Sequence, residues 1–168
     1  MEREIVNRVA KSPLITFDLE DLYPKGERKL VDIALWLHEG LILREKEFRA
    51  AVDGHNWSDY AGSYVALHCS TDAIVPAWAY MLVASRLAPH AGKVHIGSLS
   101  ELETALYQDI LNELDVSPFH GKPVIIKGCS HRPVPENAYI MALSKIQQVA
   151  KSVMYGEACS SVPLYRKQ

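Results

Sequence analysis

The sequence has few cysteines, no excess of basic residues and no long apolar run. Its net charge of −2 provides no basic field for a phosphate backbone, so we expect no nucleic-acid partner. No apolar run approaches the roughly 18–20 residues that span a bilayer. The charged start, residues 1–4, is not followed by the apolar region of a signal peptide. The sequence therefore predicts a cytoplasmic protein with no membrane association.

The three cysteines are an odd number, and none of them are spaced as Cys-x-x-Cys. In the reducing cytoplasm such cysteines are thiols or metal ligands more often than disulfides. Their chemistry therefore has to be sought from their positions along the chain.

A strand-and-helix pattern recurs in the second half of the sequence. Short apolar runs lie at residues 64–68, 94–96, 124–126 and 152–155, about 30 residues apart, the length of a strand–helix unit. Apolar residues at helical spacing fill the gaps at residues 76–87, 100–114 and 135–149. Continuous rather than alternating apolar runs are typical of parallel strands that are covered on both faces.

This pattern predicts an α/β fold, a three-layer sandwich with a mostly parallel sheet. Hydrophobic residues make up 48% of the chain, which is ample for one buried core, so we expect a single domain over residues 1–168. Residues 61–168 are expected to form the parallel α/β core. Residues 1–60, whose pattern is less regular, are expected to form an N-terminal α+β extension.

The cysteines lie in a repeated motif. Cys69-Ser70 is followed by Val75-Pro76, Cys129-Ser130 by Val134-Pro135, and, in a shortened copy, Cys159-Ser160 by Val162-Pro163. Each full copy reads strand, Cys-Ser, loop, Val-Pro, helix. If the four strands take the common order 2-1-3-4, the strands that end in cysteine are neighbours. The three sulfurs would then emerge together at the carboxyl ends of these strands, where α/β folds bind ligands.

Three thiolates suit zinc or an iron–sulfur cluster, and a fourth ligand would complete the usual set. Asp72 and Glu157 are the favoured fourth ligands, and His68 and His131 are further candidates. The sequence therefore predicts a metal- or iron–sulfur-binding accessory protein that uses Cys69, Cys129 and Cys159.

Two alternatives stay open at this point. The first is a thiol-dependent sulfur transferase that relays a persulfide, with Cys69 as the nucleophile. The second is a protein-interaction module in which the cysteines are buried small hydrophobes. A cysteine phosphatase is excluded, because Val75 stands where that class needs an arginine to clamp the phosphate. Tyr80 and Tyr139, at equivalent places, are core residues unless their hydroxyls reach the site.

Five segments together resemble a known family: residues 17–24, 40–49, 69–81, 126–130 and 156–165. They are similar to the family catalogued as domain of unknown function 2480, from Bacteroidetes-type bacteria. The resemblance spans nearly the whole chain, but it carries over no catalytic residues. It implies a link with the sulfur-mobilisation system, and hence iron–sulfur assembly proteins as partners. Enzymatic activity and homo-oligomer formation stay open.

Overall fold

A computed structural model describes residues 13–128 and 131–168 of the protein. Its strands are β1 (Ile15–Asp18), β2 (Arg28–Asp32), β3 (Tyr64–His68), β4 (Lys93–Ile96), β5 (Pro123–Lys127), β6 (Ser152–Glu157) and β7 (Ser160–Arg166). Its α-helices are α1 (Glu45–Gly54), α2 (Ala77–Leu87), α3 (Leu99–Asn112) and α4 (Glu136–Ile146). Strands and helices alternate through most of the chain, and the sheets are mostly parallel. The predicted α/β class is confirmed.

The chain divides into two compact units. The terminal unit combines the described residues up to Tyr23 with Tyr107–Gln168, and the inserted unit is Pro24–Leu106. The strand order is β1-β5-β6-β7 in the sheet of the terminal unit and β2-β3-β4 in the sheet of the inserted unit. Whether the two units fold as one domain stays a prediction.

The terminal unit has β5 at the centre of its sheet, between β1 and β6. The middle residues of β5, residues 124–126, are at most 2% exposed. Helix α4 covers this strand with Ala138, Ala142 and Ile146, which share one core with Val124. Because these three residues recur every four positions, they form one apolar stripe along the helix.

The inserted unit has the same plan around β3, which lies between β2 and β4. The middle residues of β3, residues 65–67, are fully buried. Helix α2 covers them with Ala79, Val83 and Leu87, again every four positions, and shares a core with Val65.

The central segments of the two units match at one constant offset in the sequence. The offset of 59 takes the start of β3 (64) to that of β5 (123), α2 (77) to α4 (136), and the end of one helix (87) to that of the other (146). It also relates Gly62 to Gly121, which have φ values of 70° and 69° before the central strands. Such positive φ values favour glycine, so both units enter their central strand through the same turn.

The prediction that the cysteine-bearing strands are neighbours in the order 2-1-3-4 is wrong. Strand β3 pairs with β2 and β4, whereas β5 and β6 belong to the other sheet. The physical reason lies before residue 61, where β1 and β2 each pair with a distant central strand instead of forming a separate extension. Two sheets are therefore formed where the apolar runs alone indicated one.

Among residues 13–128 and 131–168, no helix is long and apolar enough to cross a bilayer.

Candidate functional site

The structure places the predicted cysteines in different surroundings. Cys69 directly follows β3 in the inserted unit and is partly buried. Cys159 is exposed in the turn between β6 and β7 of the terminal unit. Cys129 lies outside the described residues. Cys69 and Cys159 follow strands of different sheets, so the strand order gives no support to a shared three-sulfur site. The site itself stays a prediction.

The two predicted fourth ligands, Asp72 and Glu157, are both exposed. Asp72 is exposed and lines an open cavity of about 620 Å³ in the inserted unit, beside Ile74. Glu157 is exposed at the end of β6, and its Oε1 lies 3.3 Å from Lys127 Nζ. Among the residues that the structure describes, no three His, Cys, Asp or Glu side chains are grouped closely enough to hold a metal ion.

Asp32 fixes the loop that follows Cys69. It ends β2 and stands opposite His68, the last residue of β3, in the strand register. The Ser70 backbone N–H donates to Asp32 Oδ1 at 3.0 Å, and Ser70 Oγ donates to Asp32 Oδ2 at 2.6 Å. The same carboxylate caps the 3₁₀ helix Ile33–Trp36 by accepting from the Ala34 N–H at 3.0 Å. The residue after Cys69 is therefore held through both its backbone and its side chain.

The Cys69 thiol has a hydroxyl neighbour in the same loop. Its Sγ lies 3.5 Å from Thr71 Oγ1, which itself donates to the Gly40 carbonyl at 2.6 Å. Because a threonine hydroxyl has one proton, Thr71 accepts from the Cys69 thiol rather than donating to it. The protonated thiol is thus oriented by a hydroxyl whose own direction is fixed.

Tyr80 and His68 complete the electrostatic surroundings of Cys69. Burial raises the pKa of Tyr80, and the negative charges of Cys69 and Asp32 raise it further. Burial also works to raise the pKa of Asp32, but the hydrogen bonds from Ser70 and Ala34 and the charge of His68 outweigh it, so that this pKa is lowered. Asp32 is therefore an anion at neutral pH, and Tyr80 stays protonated.

The equivalent position in the terminal unit has different side chains. Asp18 caps the 3₁₀ helix Leu19–Leu22 as Asp32 caps its own, accepting from the Glu20 N–H at 3.0 Å. Lys127 stands where the inserted unit has His68, and its Nζ lies 3.6 Å from Asp18 Oδ2. With Glu157, this makes a network of one cation between two carboxylates.

The residue after the central strand of the terminal unit is Gly128, the counterpart of Cys69. A Cβ on this glycine would overlap the hydroxyl of Tyr139, the counterpart of Tyr80. At this position the terminal unit has the Tyr139 hydroxyl next to the backbone of Gly128, whereas the inserted unit has the thiol of Cys69.

Sequence reasoning missed Asp32 and Ser70 as parts of the site. Asp32 lies in a stretch whose apolar residues have no clean period, so that β2 and its carboxyl end were not predicted. A signal was nevertheless available, because Val31-Asp32 repeats the pattern of Phe17-Asp18 at the end of a strand. The sequence predicts Tyr80 as a core residue, and the structure places it partly buried against the core of the inserted unit.

The chain matches one known protein family over nearly its whole length. A family model matches residues 3–167, so the chain belongs to the family described as "Protein of unknown function (DUF2480)". This confirms the resemblance that the five sequence segments indicated. No curated protein and no solved structure matches the chain. The function therefore has to be argued from the site itself.

Proposed function

We propose that this member of the DUF2480 family is a thiol-dependent sulfur-transfer protein in which Cys69 carries the sulfur. The proposal depends mainly on the position of Cys69 at the carboxyl end of β3, in a loop that Asp32 anchors through Ser70. The carboxyl ends of parallel strands are where α/β folds bind ligands. Partial burial shields the Cys69 thiol from solvent, and the anchored loop holds it in a defined position for a partner.

The chemistry needs two exchanges at Cys69. In the first, its thiolate attacks the outer sulfur of a donor persulfide, a new S–S bond forms, and the donor leaves as a thiolate. In the second, an acceptor thiolate attacks the outer sulfur of the Cys69 persulfide, and Cys69 leaves as a thiolate. Each exchange moves one neutral sulfur atom, so no external oxidant or reductant is needed.

The surface around Cys69 favours a protein as donor or acceptor. Ile74, in the loop after Cys69, is 91% exposed. Exposed large apolar side chains next to a reactive group are typical of protein interaction sites. We propose iron–sulfur assembly proteins as these partners, in the reducing cytoplasm, where thiols persist.

Persulfide loading tests this function. The wild-type protein, the Cys69→Ser variant and the Cys159→Ser variant would be incubated with glutathione persulfide and digested without reductant. Mass spectrometry should then find the mass of one extra sulfur on the Cys69 peptide of the wild type and of Cys159→Ser. Equal sulfur uptake by Cys69→Ser and the wild type would contradict the proposal.

A metal- or iron–sulfur-binding accessory function is the second candidate, and it has an observation of its own. Strands β5 and β6 are parallel neighbours, and the Lys127–Glu157 ion pair joins their carboxyl ends. Cys159 comes two positions after Glu157 in the sequence, and Cys129, outside the described residues, comes two positions after Lys127. Two thiolates held close together would suit zinc or an iron–sulfur cluster.

Metal and acid-labile sulfide content separates this second candidate from the first. Both would be measured, with a visible spectrum, on anaerobically purified wild type, Cys159→Ser and Cys69→Ser. Loss of metal in Cys159→Ser alone would support a site in the terminal unit. Loss in both variants would support the three-cysteine site with Asp72 or Glu157. Protein that stays metal-free after anaerobic reconstitution would contradict either metal site.

A further inference from the structure

We infer that the open cavity of about 620 Å³ in the inserted unit is the docking site for the proteins that exchange sulfur with Cys69. It binds a segment of the partner that has a large apolar side chain beside a lysine or arginine. This inference rests on the proposed function for the role of the partners, although binding itself can be measured without it. The cavity has two walls, formed by residues 41–45 and by residues 72–78.

A hydrogen bond joins the two walls next to the thiol. Thr71 Oγ1 donates to the Gly40 carbonyl at 2.6 Å. Each of these residues directly precedes a wall of the cavity, since the walls begin at residues 41 and 72. The same Thr71 Oγ1 lies 3.5 Å from Cys69 Sγ. The thiol and the junction of the walls therefore share one hydroxyl, and a segment that binds in the cavity comes close to Cys69.

The first wall follows a tight turn with unusual backbone angles. The His38 N–H donates to the Ile42 carbonyl at 2.8 Å, and the Ile42 N–H donates back to the His38 carbonyl at 3.0 Å. Between them, Glu39 and Gly40 have φ values of 53° and 72°. A positive φ is uncommon for a residue other than glycine, and such strain is kept mostly at functional sites. The turn fixes the position of the wall before any partner binds.

Three large aliphatic side chains at the cavity are exposed. Leu41 is 55% exposed, Ile42 53% and Ile74 91%. The walls of a small-molecule pocket enclose their ligand and bury most of its surface. Walls that are themselves more than half exposed suit a protein instead, because a partner brings enough surface to cover them.

The charges at the cavity are of one sign. Glu45 and Asp72 line it, and among the residues that the structure describes no lysine or arginine does. Glu45 pairs with Arg49 at 2.9 Å, and the Arg49 guanidinium lies 5.1 Å from the centre of the Trp78 ring. Asp72 is exposed and forms no ion pair within the described part of the chain. An apolar surface beside this carboxylate favours a cationic partner and disfavours an anionic one.

Docking would act on the capture of the partner rather than on the sulfur exchange. Its effect should therefore appear at low concentrations of a partner that fits the cavity. It should be absent for a small thiol such as dithiothreitol, which needs no docking surface. Truncation of one central side chain of an interface typically weakens binding by about tenfold.

Peptide binding tests the cavity directly. The probes are a short fluorescent peptide of alternating leucine and lysine, and a matched peptide of alternating leucine and glutamate. By fluorescence anisotropy, the wild type should bind the basic peptide about tenfold more tightly than the acidic one. Ile74→Ser and Asp72→Lys should each weaken binding of the basic peptide by about tenfold.

The matched control is Ile140→Ser, which replaces an isoleucine of the terminal unit that is 62% exposed. It should bind the basic peptide as the wild type does. Equal binding of the two peptides by the wild type, or equal weakening by Ile74→Ser and Ile140→Ser, would overturn the inference. A dimer in analytical ultracentrifugation that Ile74→Ser dissociates would assign the cavity to a second copy of the chain, and would overturn it as well.

Sulfur delivery tests the role of the cavity in transfer. The variants would be made in a Cys129→Ser/Cys159→Ser background, loaded with glutathione persulfide and mixed with the basic peptide extended by one cysteine. Single-turnover delivery at limiting peptide should be about tenfold slower from Ile74→Ser than from Ile140→Ser, and delivery to dithiothreitol should be equal. Equal delivery to the peptide would overturn the docking role. A background protein that takes up no sulfur would contradict the proposed function instead, and the anisotropy would still decide whether the cavity binds a basic, apolar segment.

Discussion

The terminal and inserted units share a scaffold and differ in the side chains that follow its central strands. Each scaffold has three parallel strands, an aspartate cap after its first strand and a proline-led helix over the middle strand. At the end of the central strand, the inserted unit has His68 and Cys69, whereas the terminal unit has Lys127 and Gly128. One framework therefore presents a thiol in one unit and an ion network in the other.

The comparison separates the residues that build the scaffold from those that act on it. Buried positions match closely, as Ala79 matches Ala138 and Leu87 matches Ile146, because both cores need the same volume between helix and sheet. The two residues at the end of the central strand do not match: His68 and Cys69 stand where the terminal unit has Lys127 and Gly128. Since the scaffold does not require these differences, they mark the end of β3 as the place where the inserted unit has chemistry of its own.

The largest effect should come from opening one core while leaving the other intact. Leu87→Ala removes a fully buried side chain from the inserted unit, at a cost of about 2–5 kcal/mol. Hydrogen exchange should then speed up mainly within Pro24–Leu106, and Ile146→Ala should give the mirror result in the terminal unit. Equal acceleration in both units by either variant would show that the two cores are not separate.

A smaller effect should follow from adding a side chain where the two units differ. Gly128→Ala forces the Tyr139 ring to move, which should cost about 1–3 kcal/mol and lower the melting temperature by several degrees. Cys69→Ala, at the equivalent position, should cost less because its Cβ is already accommodated. If Gly128→Ala melts with the wild type, the proposed placement of the helix tyrosine over this residue is incorrect.

Asp32→Ala should lower the free energy of unfolding by about 1 kcal/mol, because it removes the cap of a helix. It should also remove the carboxylate that accepts the Ser70 hydroxyl proton. The folded-state pKa of Asp32 is lowered. The carboxylate therefore stabilises the fold at pH values above its ordinary pKa of 3.8, and this stabilisation is lost as the pH falls below 3.8. Denaturant unfolding of both proteins from pH 7 to pH 3 should therefore show a difference that shrinks on acidification. A difference that grows instead would contradict the assigned role of the carboxylate.

The smallest effect is expected at Glu157, whose side chain is 56% exposed. If it only pairs with Lys127, Glu157→Gln should change stability by less than about 1 kcal/mol and leave any bound metal in place. Loss of metal from this variant, with its stability unchanged, would favour the metal-binding function and identify Glu157 as a ligand.

The local elements were predictable because each depends on nearby residues. The runs that became β3, β5 and β6 are apolar without interruption, and Pro76 and Pro135 mark the starts of two helices. The pairing of strands was not predictable in this way. Strand β1 pairs with β5 across about a hundred residues, and no local pattern distinguishes that partner from β3.

The candidate site was predictable only in part. Cys69 stood out because a cysteine ends a strand and precedes a proline-led helix. Its partners did not, since Asp32 comes from another strand and becomes a neighbour of Ser70 only through the pairing of β2 with β3. A site assembled from two strands therefore needs the sheet topology before its residues can be named.

The central claim, that sulfur chemistry belongs to the inserted unit, is tested most directly by following one sulfur atom. Radiolabelled sulfane sulfur would be loaded onto the wild type, Cys69→Ser and Cys159→Ser, and its transfer to an acceptor thiol would be measured in a single turnover. We predict transfer by the wild type and Cys159→Ser and none by Cys69→Ser. Transfer that survives in Cys69→Ser but is lost in Cys159→Ser would contradict the account and place the chemistry in the terminal unit.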